Sequence, residues 1–550
     1  MIKKDSLIRG TLILAAAALI ARFLGLFQRV PLDYMLGEEG QIAFGDANTI
    51  YLLLLIVATG GIPSAISKMV SQRYALGRPE EAKRIYHAGL VFGIFAGLVL
   101  ASLLFVLAPY YTAQITDKPY AKLAVQAIAP ALFLFPIIAM MRGYFQGRQL
   151  MMAGGISQII EQILRVVVGI GLALLVLAWG WGDKWVAAAA TFGSFIGGIG
   201  SLFVMLWFGR KLRQQDRMEE LAASAEERAE HAESREAASK LPFMRIYKEI
   251  FSISLPVVIT SITVQFVYTF HTSLFFRLTN GFYDLAEASQ ALSFYNIKAM
   301  SLAGIPPILA IALSASIIPV ISSAYAKRNM AEVRRQTSVV MRIVCFTGVP
   351  VALAMTVAAH SITGLIFKGP GGSDIVALLT AGTIFQITMM TSNSILLGLG
   401  KSKFAMVHTL VGLVLFMLSS IVLGYVLGIY GLIIASALCF IFITWLNLNM
   451  INGEVKFQVL GRRWPAYLAA IAIAAAAGWG VELALSGLVS IMPDKLAYFI
   501  SAAATGGVIF GLYVVLLAAL RVITPDDVES FPARLRKPLS RLLKPFYKRA

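Results

Sequence analysis

The sequence predicts an all-α polytopic membrane protein with about fourteen spanning helices. Three observations lead there. Of 550 residues, 58% are hydrophobic and only 14% charged, against about 25% charged in a soluble chain, and mean hydropathy is +0.77. Apolar runs of about 20 residues, the length that crosses a bilayer, recur along the whole chain. Lys and Arg gather in alternate loops. The net charge of +18 therefore reads as a basic cytoplasmic face toward anionic lipid. It does not read as a nucleic-acid site, because no basic domain outside the membrane is large enough to fold.

The first run, 7–36, follows Lys3, Lys4 and Arg9 as a signal peptide would. Its apolar pattern continues past Arg22 to Leu36, which predicts a retained first helix. Runs 42–75, 84–108, 120–146, 153–179 and 185–209 complete a first lobe, 1–209. Residues 210–248 mix charges with alanines and predict a cytoplasmic linker, a solvated helix or disorder. A second reading makes that linker a docking site for cell-wall synthesis or division proteins. Runs 250–279, 291–325, 338–366, 373–398, 404–428 and 430–450 form a second lobe, 249–450, with only Gly428–Tyr430 between the last two. Runs 465–487 and 497–520 supply two further helices within 451–520, and 521–550 is a basic tail.

The basic loops carry Arg73, Arg78, Lys83 and Arg84; Arg142 and Arg148; Lys327, Arg328, Arg334 and Arg335; Lys401 and Lys403; Arg462 and Arg463. The alternate loops, such as "GEEGQ" and "GPGGSD", are poor in them, so both termini are expected in the cytoplasm. An internal repeat agrees. "SQRYALGRPEEAKR" (71–84) and "SSAYAKRNMAEVRR" (322–335) align at one offset, Ser71 on Ser322 and Arg84 on Arg335. Both copies end a helix of like rank, so six plus six helices form two parallel lobes. Cys345 and Cys439 lie in apolar runs and suggest neither a disulfide framework nor a metal site.

Charges inside the spans narrow the function. On a helix Arg22, Arg29 and Asp33 fall within about 20° of one line over roughly 16 Å. Each charge costs about 2.5–3.5 kcal/mol at the bilayer centre. That face is expected to meet a wet cavity; the alternative is an internal ion pair locking two helices. Asp46 opens the second span. Glu161 and Arg165 form an i,i+4 pair that can satisfy itself. Lys68 and Arg277, near span ends, can snorkel. His271 alone reads as a hydrogen-bonded core histidine. Lys298 has no opposite charge within a helical turn and needs a partner from elsewhere. Asp33, Glu161, Arg165 and His271 stand as cavity or coupling candidates. If the lobes face each other, Arg22, Arg29 and Lys298 converge and select an anion. Arginine suits phosphate because its planar fork binds two oxygens. A lipid-linked pyrophosphate fits.

"ARFLGLFQRVPL" (21–32), "TGGIPSAISKMVSQRYALG" (59–77) and "MRGYFQGRQLMMAGGISQIIEQILRV" (141–166) resemble the multidrug/oligosaccharidyl-lipid/polysaccharide (MOP) exporter superfamily. Within it the chain is similar to the polysaccharide-transport branch, the YtgP/SpoVB-type, MurJ-like lipid II flippases. The resemblance implies two six-helix lobes in a V, two C-terminal helices that form a groove for a lipid tail, and lipid II as cargo for peptidoglycan synthesis and cell shape. It places Arg22, Arg29 and Asp46 on cavity residues of the family and Lys298 where the family has an arginine. Thr59 and Ser301 depart from an arginine and a glutamate of the family pattern, so cargo contacts and coupling are expected to differ.

The resulting expectation is a transporter without a catalytic site or cofactor, in the bacterial cytoplasmic membrane, working by alternating access. "ILLGLGKS" (395–402) lacks the first glycine of a phosphate loop and the strand before it, which leaves the membrane potential or an ion gradient as the energy source. Gly60, Gly61 and Pro63, and Gly304, Pro306 and Pro307, serve either as hinges or as close-packing points. Rival readings are a cation-coupled multidrug exporter of the same fold, which would want cavity carboxylates, and a flippase for another polyprenyl-pyrophosphate polysaccharide. An intramembrane transferase would need sizeable catalytic loops, and a scaffold leaves the buried charges unexplained.

Overall fold

In a bilayer, a lone apolar segment satisfies its backbone only as a helix, and every regular element among the described residues is helical. The computed structural model describes residues 7–222, 242–308, 318, 320–325 and 327–523. Among the described residues, eleven helical stretches are long and apolar enough to cross a membrane. In order, the helices are α1 (Leu7–Met35), α2 (Glu38–Thr59), α3 (Ile62–Ala75), α4 (Pro79–Tyr110), α5 (Lys122–Gly147), α6 (Met151–Ala178), α7 (Asp183–Ala222) and α8 (Phe243–Thr279). Then come α9 (Leu285–Phe294), α10 (Met330–Val357), α11 (Ala359–Ile366), α12 (Ser373–Gly398), α13 (Ser402–Glu454), α14 (Trp464–Leu485) and α15 (Asp494–Ala519).

Several predicted runs are broken where their sequence demands it. The second span breaks between α2 and α3 at Gly60–Gly61, and Gly61 has φ +73°. A Cβ on Gly61 would sit 2.9 Å from the Val257 side chain of α8, so this glycine permits close packing as well as the bend. The predicted eleventh and twelfth runs join as α13, with Gly428 at φ 57° and ψ −135° marking the corner between two arms. The ninth run divides at Ala358 into α10 and α11. Two π-turns interrupt the ladder, at Tyr111–Ile115 and Tyr295–Ala299. The predicted linker begins as a continuation of α7 to Ala222; its residues 223–241, the stretch 309–317 of the eighth run and the basic tail from 524 lie outside the described residues.

The chain forms two compact units, Met1–Arg277 and Leu278–Ala550. The packing boundary falls one helix later than the repeat boundary at 249. In the first unit α6 lies along α7, α5 packs on α4 and α7, and α1 packs on α6. A Gly193-x3-Gly197 pair on α7 makes the first of these contacts close. Cβ atoms there would stand 2.6 Å from the carbonyls of Arg165 and Glu161, the small-residue geometry of membrane helix pairs.

In the second unit α14 and α15 pack on each other and on α10. Their core holds Cys345, Phe346, Val349, Tyr467, Ala470, Tyr513 and Leu517. Tyr467 and Tyr513 both donate to the Cys345 carbonyl, at 2.9 and 3.3 Å. The two final helices also grip α11 at both ends. Glu482 of α14 accepts from the Ser361 amide at 3.2 Å and from its hydroxyl, at the N-terminus of α11. Thr505 of α15 donates to the same carboxylate at 2.9 Å. Lys495 of α15 donates to the carbonyls of Gly364, at 2.7 Å, and Phe367 at the other end. Anion at the N-terminus and cation at the C-terminus is the order the helix dipole favours.

Candidate functional site

The charged face predicted on α1 is only partly visible. Arg22 lies on α1, and its side chain falls outside the described residues. Arg29 is half-buried and Asp33 buried. Asp33 accepts from Gln41 Nε2 at 3.4 Å, and the same amide donates to the Leu36 carbonyl at 3.2 Å. Pro31 lies within the helix between the two charges. The start of α2 is thereby tied back onto the end of α1, and the carboxylate is held by an amide.

Asp46, one turn further along α2 from these contacts, is wholly buried. Its carboxylate takes two bonds from Lys118 Nζ, at 3.1 and 2.9 Å. Lys118 is wholly buried too, donates a further bond to the Thr272 carbonyl of α8, and lies 5.4 Å from the Phe276 ring. Burial pushes the Lys118 ammonium below lysine's ordinary value, and Asp46 pushes it back up. Asp117, at φ +56°, turns the chain so that Lys118 points inward. Asp117 itself faces out and takes Arg277 at 2.7 Å. More bonds join α8 to α2 beside the pair: Thr269 donates to the Thr49 carbonyl at 3.0 Å, Gln265 to the same atom at 3.1 Å, and the Thr49 and Thr272 hydroxyls meet at 3.1 Å. His271 is fully buried on the same helix.

Lys118 is the residue that sequence reading misses. It stands in "TDKP" between two spans and looks like an ordinary loop lysine. The available signal was Asp46, a carboxylate inside a span, which requires a cation or a proton.

The Glu161–Arg165 pair expected from the i,i+4 spacing is present, with a further partner. Glu161 does not close on Arg165 alone. Arg165 reaches it at 3.2 Å, but Arg142 of α5 reaches it at 2.8 Å and also holds Ser157 and Ser201. Arg142, near the cytoplasmic end expected for the run 120–146, lies inside α5 and pins α5, α6 and α7 together.

Lys298 sits in the second unit, on the π-turn Tyr295–Ala299, and is buried. Its ammonium donates to the carbonyls of Gly369 and Gly371 at 3.1 and 3.0 Å and lies 4.5 Å from the Phe294 ring. The partner it needed comes from the "GPGGSD" loop. Gly372 makes this loop fit: its φ is +77°, and a Cβ there would meet Phe294 at 2.6 Å. Of the two span-end cations, Lys68 is exposed, and Arg277 is exposed on Asp117. Ser301, a departure from the family pattern, donates to the Ile297 carbonyl.

Comparison with known proteins identifies the family. Over 528 residues the chain is 25% identical to the lipid II flippase MurJ of Bacillus subtilis (strain 168), covering 92% of this chain and 94% of that one. It is 23% identical to stage V sporulation protein B of the same organism, covering 96% and 98%. Among solved structures, MurJ in an inward closed conformation aligns with a TM-score of 0.63 at 14% identity, over 91% of this chain and 98% of that one. An inward-facing multidrug resistance MATE transporter of the MOP superfamily aligns at 0.62 and 12% identity, over 79% and 94%. These likenesses fix the fold as that of the MOP transporters. Residues 7–325, more than half the chain, match the model of the polysaccharide biosynthesis protein family, and the chain belongs to that family.

Proposed function

We propose that this protein is a flippase that carries a lipid-linked cell-wall precursor across the bacterial cytoplasmic membrane by alternating access, with lipid II, an undecaprenyl-pyrophosphate disaccharide-peptide, as cargo. The observation that carries this reading is the end-to-end similarity to a lipid II flippase, 92% of one chain on 94% of the other. Arg22, Arg29 and Lys298 are the cations assigned to the pyrophosphate, because a guanidinium fork and an ammonium match its oxygens. Asp46 acts through Lys118, and Asp33, Glu161 and Arg165 shape the cavity wall. The chain does no covalent chemistry in this reading, and energy comes from the membrane potential or an ion gradient. Moving one charge through 100 mV is worth about 2.3 kcal/mol.

The similarity to a sporulation protein favours a second cargo reading, another polyprenyl-pyrophosphate glycan. A cation-coupled drug exporter has the MATE likeness in fold alone. The test is replacement. Cells depleted of their lipid II flippase receive this chain, as wild type or as Arg22→Ala, Arg29→Ala or Lys298→Ala at equal expression. Rescue by wild type alone supports the assignment. Equal rescue by the variants removes the sites, and no rescue by wild type with normal membrane insertion removes lipid II as cargo.

A further inference from the structure

In the first unit, α2, α5, α6 and α7 pack around a polar cluster whose charges do not cancel. The cluster holds two guanidiniums, Arg142 and Arg165, and one carboxylate, Glu161. Among the described residues both arginines make their ion pairs with Glu161 alone, which leaves one net positive charge. Ser157 and Ser201 complete the bonding of Arg142 and bring no charge. Charge taken out of water is costly unless an opposite charge balances it.

Hydrogen bonding shows the same deficit. Tyr51 of α2 is 1% exposed, and its ring stands edge-on to Phe135 of α5 at 5.9 Å. The Arg165 guanidinium lies 5.6 Å from that same Phe135 ring. The Tyr51 hydroxyl is within electrostatic reach of Arg165, Glu161 and Arg142. Neither this hydroxyl nor Arg165 Nε has a hydrogen-bond partner. The two cannot satisfy each other, because a guanidinium only donates and the tyrosine proton still needs an acceptor. Glu161 is already occupied. One of its oxygens takes Arg165 at 3.2 Å and Gln162 at 3.3 Å, and the other takes Arg142 at 2.8 Å. Nor does α7 supply a side chain here. It passes Arg165 with Gly193 and Gly197, and a Cβ on Gly197 would stand 3.2 Å from the Arg165 Cβ. Two donors therefore lack one acceptor, and the cluster lacks one negative charge. Water accepts hydrogen bonds but leaves the charge. A small monovalent anion answers both needs, whereas a dianion would reverse the excess. The Arg165 side chain keeps 16% exposure, a way in for a small ion.

We propose that the Tyr51 hydroxyl and Arg165 Nε–H bind a small monovalent anion of the size and charge of chloride, which neutralises the Arg142–Glu161–Arg165 cluster. The site stands whichever cargo the protein carries, since its readout is anion binding and not transport.

The test uses the full-length protein, purified in neutral detergent and exchanged into sodium gluconate. Thermal unfolding is followed as chloride replaces gluconate at constant sodium and ionic strength. Wild type should begin to gain stability once chloride exceeds a threshold set by its dissociation constant, because an anion that binds only the folded state stabilises it. Tyr51→Phe keeps the ring against Phe135 and removes one donor, so the threshold should rise about fivefold. Arg165→Gln leaves Arg142 and Glu161 as a neutral pair and should abolish the chloride dependence. Tyr467→Phe removes a buried hydroxyl in the second unit and should leave the threshold where it is. A wild type indifferent to chloride overturns the proposal, because water then serves the two donors. Equal chloride dependence in wild type and all three variants overturns it too, because chloride then acts diffusely. Should Arg165→Gln fail to purify, Tyr51→Phe decides against the Tyr467→Phe control, and a threshold that does not move sinks the site.

Discussion

The two units hold charge in different ways. In the first, Asp46 and Lys118 are both wholly buried and satisfy one another, with one carbonyl of α8 completing the lysine. In the second, the half-buried Glu482 and the exposed Lys495 act on the two ends of α11. A mutual pair concentrates its stabilisation in two side chains, each of which strands the other when removed. A charge set against a helix end is spread over backbone groups and a dipole, and its loss leaves those groups to local substitutes. The first arrangement is therefore brittle and the second tolerant.

Removing one member of the pair is the largest expected effect. Lys118→Met strands a buried carboxylate and should cost about 3–5 kcal/mol in unfolding of the detergent-solubilised protein. The double variant Lys118→Met with Asp46→Asn should recover most of that loss, because an apolar substitute for a buried pair is often neutral. A single variant as stable as wild type would break the comparison outright. Arg142→Gln comes next. Glu161 keeps Arg165 but loses its shorter bond, at about 1.5–3 kcal/mol. A loss as large as that of Lys118→Met would show that a three-charge cluster is no more tolerant than a pair.

Helix-end charges should give less. Glu482→Ala removes an N-terminal cap of α11 at about 1 kcal/mol, and Glu482→Gln, which keeps an acceptor, should lose about half of that. Lys495→Ala should lose about 0.3–1 kcal/mol, since it acts on the opposite pole. The smallest effect belongs to the exposed Arg277–Asp117 pair beside the buried one. The Arg277 hydrogen bond holds the Asp117 carboxyl below its ordinary value of 3.8. Its contribution is complete above that ordinary value and is lost as pH falls through the lower folded one. Thermal scans at low pH should show an acid-side loss that Asp117→Asn removes and that high salt reduces.

Much of this molecule is written in one dimension. Apolar length gives the spans, since a bilayer leaves the backbone no alternative to a helix. The breaks at Gly428 and at Gly60–Gly61 were legible as glycine positions. The charged residues in the spans could be identified because each is expensive there, and motifs such as "MRGYFQGRQLMMAGGISQIIEQILRV" were specific enough to show the family resemblance. Partners distant in the chain were not legible. Asp46 meets Lys118 across 72 residues, Lys298 meets Gly369 across 71, and Glu482 meets Ser361 across 121. Arg142 lies near the end of the predicted run 120–146, but nothing in the sequence shows that it holds three helices together. Cost of burial is a property of one residue and its neighbours in the chain, so the sequence alone determines it. Satisfaction of that cost is a property of two surfaces brought within 3 Å, so only the tertiary structure decides it.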